Sequence, residues 1–509
     1  MPCRHERSSA AIVAAAARLC NATVVSIFRY AMTRRFPPIA TGLALIGVVL
    51  MMAGCATAAR PPDDPAVAPD PEAEPTVESP LTIPEVYDAI SVSVQAGDPE
   101  TAIAAFRQAE LDDPDDPATL VLLANLYLIA GLVGEAEGLV DDVLADDPDN
   151  RDALYLLSLL RSVQGRTADQ RALLERVVAD HPDFARAHAS LGELQLQSRD
   201  LRAAETSFRA ALASDPRDLV GLIGLGNVYL RQSRHAEAEA ELTAAIDVAP
   251  DFSFAYSDRA RARALQYKLD SAEADLTIAL ELDPDFYWHL IDRGRVRMET
   301  RRFRAAIEDF TRAIEIDPDQ FLAYALRAQA LDAEEQYDAA ISDFETALAM
   351  RRDYEPAFVP VATLYYMFDR HADAARYYRM AFDRHPRRFD FALMAALAMK
   401  SDGRNPDAVR YLQDILGRVP RDSLYYHVVR YYIQPSTETL VLSQLREERD
   451  ATMKARMYFF VGAQLELLGR TQTAQASFMH TEAELQPGFL EHRLALWRLR
   501  SYRSDQGAR

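Results

Sequence analysis

Cysteine is almost missing from this chain of 509 residues: Cys3, Cys20 and Cys55 are present, and none follows. An intradomain disulfide and a cysteine zinc site are therefore excluded from everything after residue 55. Positive charge is short as well. Lys and Arg number 56 against 77 Asp and Glu, for a formal net charge of −21. A nucleic-acid protein, which needs a basic stripe to meet phosphates, is not expected. The ten histidines are scattered singly, with no HExxH, no paired His at metal spacing and no GxxxxGK[ST] loop. No metal, cofactor or catalytic residue is expected, and the chain does not read as an enzyme. The one glycine-rich run, Gly221-Leu-Ile-Gly-Leu-Gly226, follows no strand and reads as helix packing. Long apolar runs are also scarce. The uncharged stretch from 39 to 54 is shorter than the ~20 residues of a membrane-spanning helix.

What recurs instead is proline. It stands at 114, 148, 182, 216, 250, 284, 318, 386 and 420, at one constant interval except for a double gap where Arg352 takes the expected place. A period of about 34 residues indicates helix–turn–helix repeats that bury their apolar faces on one another. Residues 287–320 show the plan. Helix A carries Leu290, Gly294 and Met298; a break follows near Thr300–Arg302; helix B carries Ala306, Phe310, Ala313 and Ile314. Asp317-Pro318-Asp319 then stops it, with proline presetting φ for the next unit and the aspartate before it expected to supply a cap.

Small residues recur early in each unit (Gly192, Gly226, Ala260, Gly294, Ala328, Ala362). A middle alanine follows (Ala204, Ala238, Ala272, Ala306, Ala340, Ala374). Then come a large residue (Phe208, Leu242, Leu276, Phe310, Phe344, Tyr378) and a second alanine (Ala211, Ala245, Ala279, Ala313, Ala347, Ala381). This pattern resembles the tetratricopeptide repeat family. The resemblance implies an all-α, right-handed superhelical solenoid of about 11–12 helix–turn–helix units with a concave groove. Residues 83–422 read as ten units in one frame. The stretch 423–454 is irregular and divergent, 455–488 restores a final repeat-like unit through Gly462, Ala474 and Phe478, and 489–509 is a capping helix and tail. Tyr365-Tyr366, Tyr377-Tyr378 and the tyrosines from Tyr425 to Tyr432 read as gap filling between repeats or as a second sticky surface.

The N-terminal region has a different character. Arg34 and Arg35 precede the apolar stretch, which ends Met52-Ala53-Gly54-Cys55. This resembles the lipobox of bacterial lipoproteins, with methionine where leucine is usual. The resemblance implies a signal peptide over 32–54, cleavage before Cys55 and acylation of that cysteine. Ala56, not aspartate, follows it, which implies sorting to the outer membrane and a periplasm-facing body. Residues 1–31 read as an untranslated upstream extension. Residues 55–82 hold the lipidated cysteine and a stalk rich in proline and acid, too poor in large apolar residues to fold on their own.

Two charge patterns lie inside the repeats. Arg259, Arg293 and Arg327 stand where other units have Leu191, Leu225 or Val361, and the same units place Asp275, Asp309 and Asp343 sixteen residues on. The two residue types come and go together, which argues for an ion pair joining helix A to helix B. Two positions after the arginines stand Asn227, Arg261, Arg295 and Gln329. The family resemblance places this position in the groove, together with Ser257 and Ile291 one turn earlier and Phe254 and Trp288 near the helix start. Arginine beside amides suits a carboxylate, and exposed aromatics suit an apolar side chain or a sugar face. The other reading of the same arginines is a solvated ladder that neutralises Asp258 and Asp292. The expected function is a membrane-tethered scaffold that binds a protein or peptide partner in its groove. A homo-oligomeric envelope spacer and an accessory subunit of an envelope enzyme are the alternatives.

Overall fold

The structure, a computed structural model, describes residues 90, 92–94, 97–109 and 116–507. The segment 1–31, the signal peptide 32–54, Cys55 and the stalk to residue 82 lie outside the described residues. The chain divides into two compact units, one ending at Thr300 and one beginning at Arg301.

In the first unit, helices of 13 residues alternate with helices of 14 residues. The first helices of the hairpins are Pro117–Ile129, Arg151–Val163, Ala185–Gln197, Leu219–Arg231 and Ser253–Leu265, set at the same constant interval as the prolines. The second helices are Val133–Asp146, Thr167–Asp180, Leu201–Ser214, His235–Val248 and Leu269–Leu282. Tyr287–Glu299 ends the unit. The hairpins close through contact of large on small. The Phe208 ring lies against both Gly192 of its own repeat and Gly224 of the next, where a Cβ would meet ring carbons at 2.8 and 2.3 Å. Leu242 stands equally close to Gly226, at 2.8 Å. Gly221–Gly226 is thus a packing surface.

Two turns maintain the frame. Between second and first helices, the Asp-Pro turn hydrogen-bonds Asp218 N to Asp215 O at 3.0 Å. The aspartate before the proline accepts from the amide two residues on: Asp215 Oδ1 from Arg217 N at 2.9 Å, and in the second unit Asp317 Oδ1 from Asp319 N at 3.1 Å. It therefore closes the turn and does not cap the next helix, because its side chain meets the nearest free amide first. Where a cap exists it comes later, as at Asn150 for Ala153 N and Asp218 for Gly221 N. Within most hairpins, one residue adopts left-handed φ. It is glycine at 97, 131, 165 and 403 but not at Arg199, Ser233, Tyr267, Arg301, Glu335 and Asp369, where φ is 57–63°. At Tyr267 the backbone bonds are Tyr267 N to Ala264 O and Lys268 N to Arg263 O, both 2.9 Å, a Schellman ending.

The second unit carries the same frame through Phe303–Ile316, Phe321–Ala333, Tyr337–Met350, Phe358–Met367, His371–Arg384, Phe389–Ser401 and Asn405–Leu416. The stretch read as irregular, 423–454, also forms a hairpin, with shortened helices Leu424–Ile433 and Glu438–Glu447. Ala451–Leu467 and Thr471–Glu484 follow, then Leu490–Gly507. The tyrosines are core: Tyr365, Tyr366, Tyr378, Tyr431 and Tyr432 are all buried. Tyr432 Oη donates to Phe460 O at 2.8 Å and Lys400 Nζ to Tyr432 O at 2.8 Å. The last helix buries Leu494 and Ala495 completely; Arg493 and Arg498 are half-buried and paired with acids, and Arg500 is paired with Glu335 while remaining exposed. Among the described residues, no helix is long and apolar enough to cross a membrane.

A left-handed residue with a side chain costs roughly 1–2 kcal/mol that glycine avoids. Tyr267 is 87% exposed, so little packing is lost with it. Tyr267→Gly is expected to raise unfolding free energy by about 1 kcal/mol, read as a higher urea midpoint. A fall in the midpoint would show that the ring has a packing role.

Candidate peptide-binding face

The candidate face lies on the first helices of the hairpins, Leu219–Arg231, Ser253–Leu265 and Tyr287–Glu299. Hydrogen bonds between helices hold it in place. Arg259 grips Asp275 with two parallel bonds, Nε to Oδ2 at 3.0 Å and Nη2 to Oδ1 at 2.8 Å. In the second unit Arg327 does the same to Asp343, at 2.7 and 2.9 Å. Arg293 Nη1 reaches Thr277 Oγ1 at 3.3 Å, and Asp309 is buried. The third contact of Arg259 and of Arg327 is a threonine sixteen residues earlier: Thr243 for Arg259 at 3.3 Å and Thr311 for Arg327 at 3.2 Å. Each guanidinium thus ties its own hairpin to the one before.

A parallel ladder joins Arg161 to Glu137, Arg263 to Glu239 and Arg297 to Glu273 at 2.5, 2.9 and 2.9 Å. Burial pushes the Glu239 carboxyl up. Hydrogen bonds from Lys268, Arg263 and Gln266 outweigh it and hold the group down to about 2. The three pairs share one sequence separation, linking a first helix to the second helix of the repeat before it. That signal is visible in the sequence, and a reading within single repeats passes over it.

The eight face residues divide by exposure. Arg261 and Arg295 are open, with side chains 50% and 64% exposed. Arg261 Nη1 lies 3.3 Å from Asp258 Oδ1 and Arg295 Nη1 lies 4.0 Å from Asp292 Oδ1. Neither guanidinium makes a hydrogen bond among the described residues. Trp288 is exposed, its ring 4.7 Å from that of Tyr287. Phe254 is half-buried, edge-on to Phe286 at 4.9 Å and to His289 at 5.5 Å. Three expected face residues are withdrawn from it. Asn227 is buried and donates to Asp258 Oδ2 at 3.0 Å; Ser257 is buried with its hydroxyl on Phe254 O at 3.0 Å; Ile291 is 1% exposed. Their surfaces are taken up inside the stack. Gln329 is half-buried and belongs to the second unit.

The arginines do form a ladder with acids, and the ladder is unbalanced. Burial pushes the Asp292 carboxyl up, with Arg261 and Arg295 opposing. Burial, joined by Asp218, pushes Glu193 well up. Burial lowers the Arg231 value, and the like charges of Arg199 and Arg261 lower it further. Arg199 and Arg261 thus lie near enough to Arg231 to repel it, with Asp258 beside Arg261. Arg199 and Arg231 were not singled out in the sequence because they stand at the helix ends, outside the repeated position.

Two tetratricopeptide repeat family models match the chain, one over residues 93–160 and the other over 155–218, 223–285, 291–355 and 362–423. No curated protein matches the sequence. Among solved structures, the chain is similar to the anaphase-promoting complex hetero-tetramer Cut9–Hcn1. They are 16% identical over 62% of each chain, with a TM-score of 0.45. It is similar to pilF of Pseudomonas aeruginosa at 21% identity over 40% of this chain and 92% of that one, TM-score 0.36. It is also similar to YrrB, described as a protein with an unusual peptide-binding site, at 17% identity over 36% and 95%, TM-score 0.32.

His289 supplies a test of this face. It is 1% exposed, and burial lowers its pKa to about 4. The unfolded chain takes up this proton first, near 6.5, so stability is complete above that value and is lost as pH falls from there toward the folded one. At pH 5 the loss is about 2 kcal/mol. The urea midpoint of the native chain is expected to fall between pH 7.5 and 5 by more than that of His289→Phe. Equal falls would contradict a buried neutral imidazole.

Proposed function

The chain belongs to the tetratricopeptide repeat family, whose matched repeats cover more than half of it, and from that premise we propose a membrane-tethered scaffold that holds an acidic peptide segment of a partner protein on the first unit. Proteins built of these repeats mediate protein–protein or peptide binding. The observation that supports this particular reading is the contrast between two arginines on one helix. Arg259, 12% exposed, commits its donors to Asp275, whereas Arg261, 50% exposed, commits none to a hydrogen bond.

A peptide carboxylate placed between Arg261 and Arg295 gains charge-assisted bonds that the ladder leaves unmade. Trp288 offers an apolar side chain a rigid aromatic contact. Because the repeats hold these groups in register before the partner arrives, little ordering cost falls on the receptor. The contacts are exposed, so binding weakens as salt rises past the point where the Debye length falls below ~10 Å. The tether rests on Met52-Ala53-Gly54-Cys55: acylation of Cys55 would anchor the body to a bacterial envelope membrane, the outer one by the residue after the cysteine, facing the periplasm.

Two variants of the full chain test the two halves. Cys55→Ser is expected to move the protein from the membrane fraction to the soluble one. Arg261→Ala with Arg295→Ala is expected to lose, by at least tenfold, a partner that the native chain captures from detergent-solubilised envelopes, at an unchanged melting temperature. Equal capture by native and double variant would place binding elsewhere.

A further inference from the structure

The last helix, Leu490–Gly507, lies across the first helices of several hairpins in the second unit. Arg493 Nη1 and Nη2 donate to Asp332 Oδ2 and Oδ1 at 2.8 and 2.5 Å, 161 residues earlier in the chain. Arg500 Nη1 reaches Glu335 Oε1 at 3.2 Å, and Arg498 Nε donates to Glu466 Oε2 at 3.0 Å. Between these pairs the helix packs beside Phe358–Met367. Leu494 and Leu499 are buried at 0 and 2% exposure. The arrangement seats a basic helix on acidic side chains of earlier repeats.

We propose that this face of the second unit is a second binding surface, fitted to a basic helix, and that the chain's own last helix is the occupant that closes it. Recognition follows from spacing: Arg493, Arg498 and Arg500 meet Asp332, Glu466 and Glu335, with Leu494 and Leu499 buried among them. A partner helix carrying the same pattern competes for the seat.

Three features let the occupant leave. The connection to it runs through Pro487 and Gly488, where Gly488 has φ 108° and open space around it, so no side chain there resists a change of backbone angle. The outermost pair, Arg500–Glu335, is exposed at 63% and 60%, so solvent screens it and it adds little hold. The anchoring acid at the helix start is incompletely satisfied. Arg456 Nε and Nη2 both donate to Glu491 Oε1, at 2.9 and 2.7 Å, while Glu491 Oε2 is buried without a hydrogen-bond partner. A buried carboxylate with an idle oxygen weakens the seat it occupies.

The probe is a fluorescent peptide with the sequence of residues 488–509, titrated into the full chain. Arg493→Ala with Arg498→Ala loosens the resident helix and is expected to bind the peptide at least tenfold more tightly than the native chain. Adding Asp332→Lys is expected to abolish that gain. Hydrogen exchange on the native chain is expected to show residues 494–503 opening faster than Ala451–Leu467. The proposal is overturned if the loosened variant, still folded by its melting curve, binds no better than the native chain. It is equally overturned if binding survives Asp332→Lys, or if residues 494–503 exchange as slowly as the helix beneath them.

Discussion

The repeats depend on one kind of contact: a large side chain of a second helix pressed against small residues of neighbouring first helices, as at Phe208, Leu242 and Phe478. Phe208 against Gly192 and Gly224 leaves no room for a methyl group at either glycine. Such a fit fixes the distance between successive first helices, because a close-packed interior resists even small displacements. The constant repeat frame accords with that distance, and the Asp-Pro turns and left-handed hairpin residues maintain it. From it follows the placement of Arg261 and Arg295 at equivalent points of adjacent helices. Stability is then assembled from nearest neighbours, without one central core.

On that frame, position decides what an arginine does. Arg259 and Arg261 are two residues apart and so point to different sides of one helix. Arg259 is held by Asp275 and Arg263 shares that carboxylate, with Nη1 to Oδ2 at 2.8 Å. Arg261 faces outward beside Asp258. Many of the described arginines are engaged by acids, whereas Arg261 and Arg295 lie only loosely beside theirs, at 3.3 and 4.0 Å. In the second unit the chain's own last helix meets first helices at Asp332 and Glu466.

Much of this was legible in the sequence. The proline period revealed the repeat, and the small and large positions identified the packing surfaces, because both are local and recur in every unit. The joint appearance of Arg259 with Asp275 and of Arg327 with Asp343 pointed to contacts that the structure contains. What escaped the reading had physical reasons. Residues four apart share a helix side, so Ser257 and Ile291 resembled Arg261 and Arg295 in placement. Their burial, however, is set by stacking, which the sequence of one repeat does not express. Left-handed φ at Tyr267 or Arg301 has no residue signature when glycine is absent. Arg493 and Asp332 are 161 residues apart, and no period links them.

The most direct test of the account compares Arg259→Ala with Arg261→Ala by equilibrium urea unfolding under identical conditions. Removing Arg259 takes two charge-assisted bonds from buried Asp275 and leaves it to Arg263 alone, and is expected to cost about 2 kcal/mol. Removing the exposed Arg261 is expected to change stability by less than about 0.5 kcal/mol. Equal losses would contradict the division between arginines that build the fold and arginines left free for a partner.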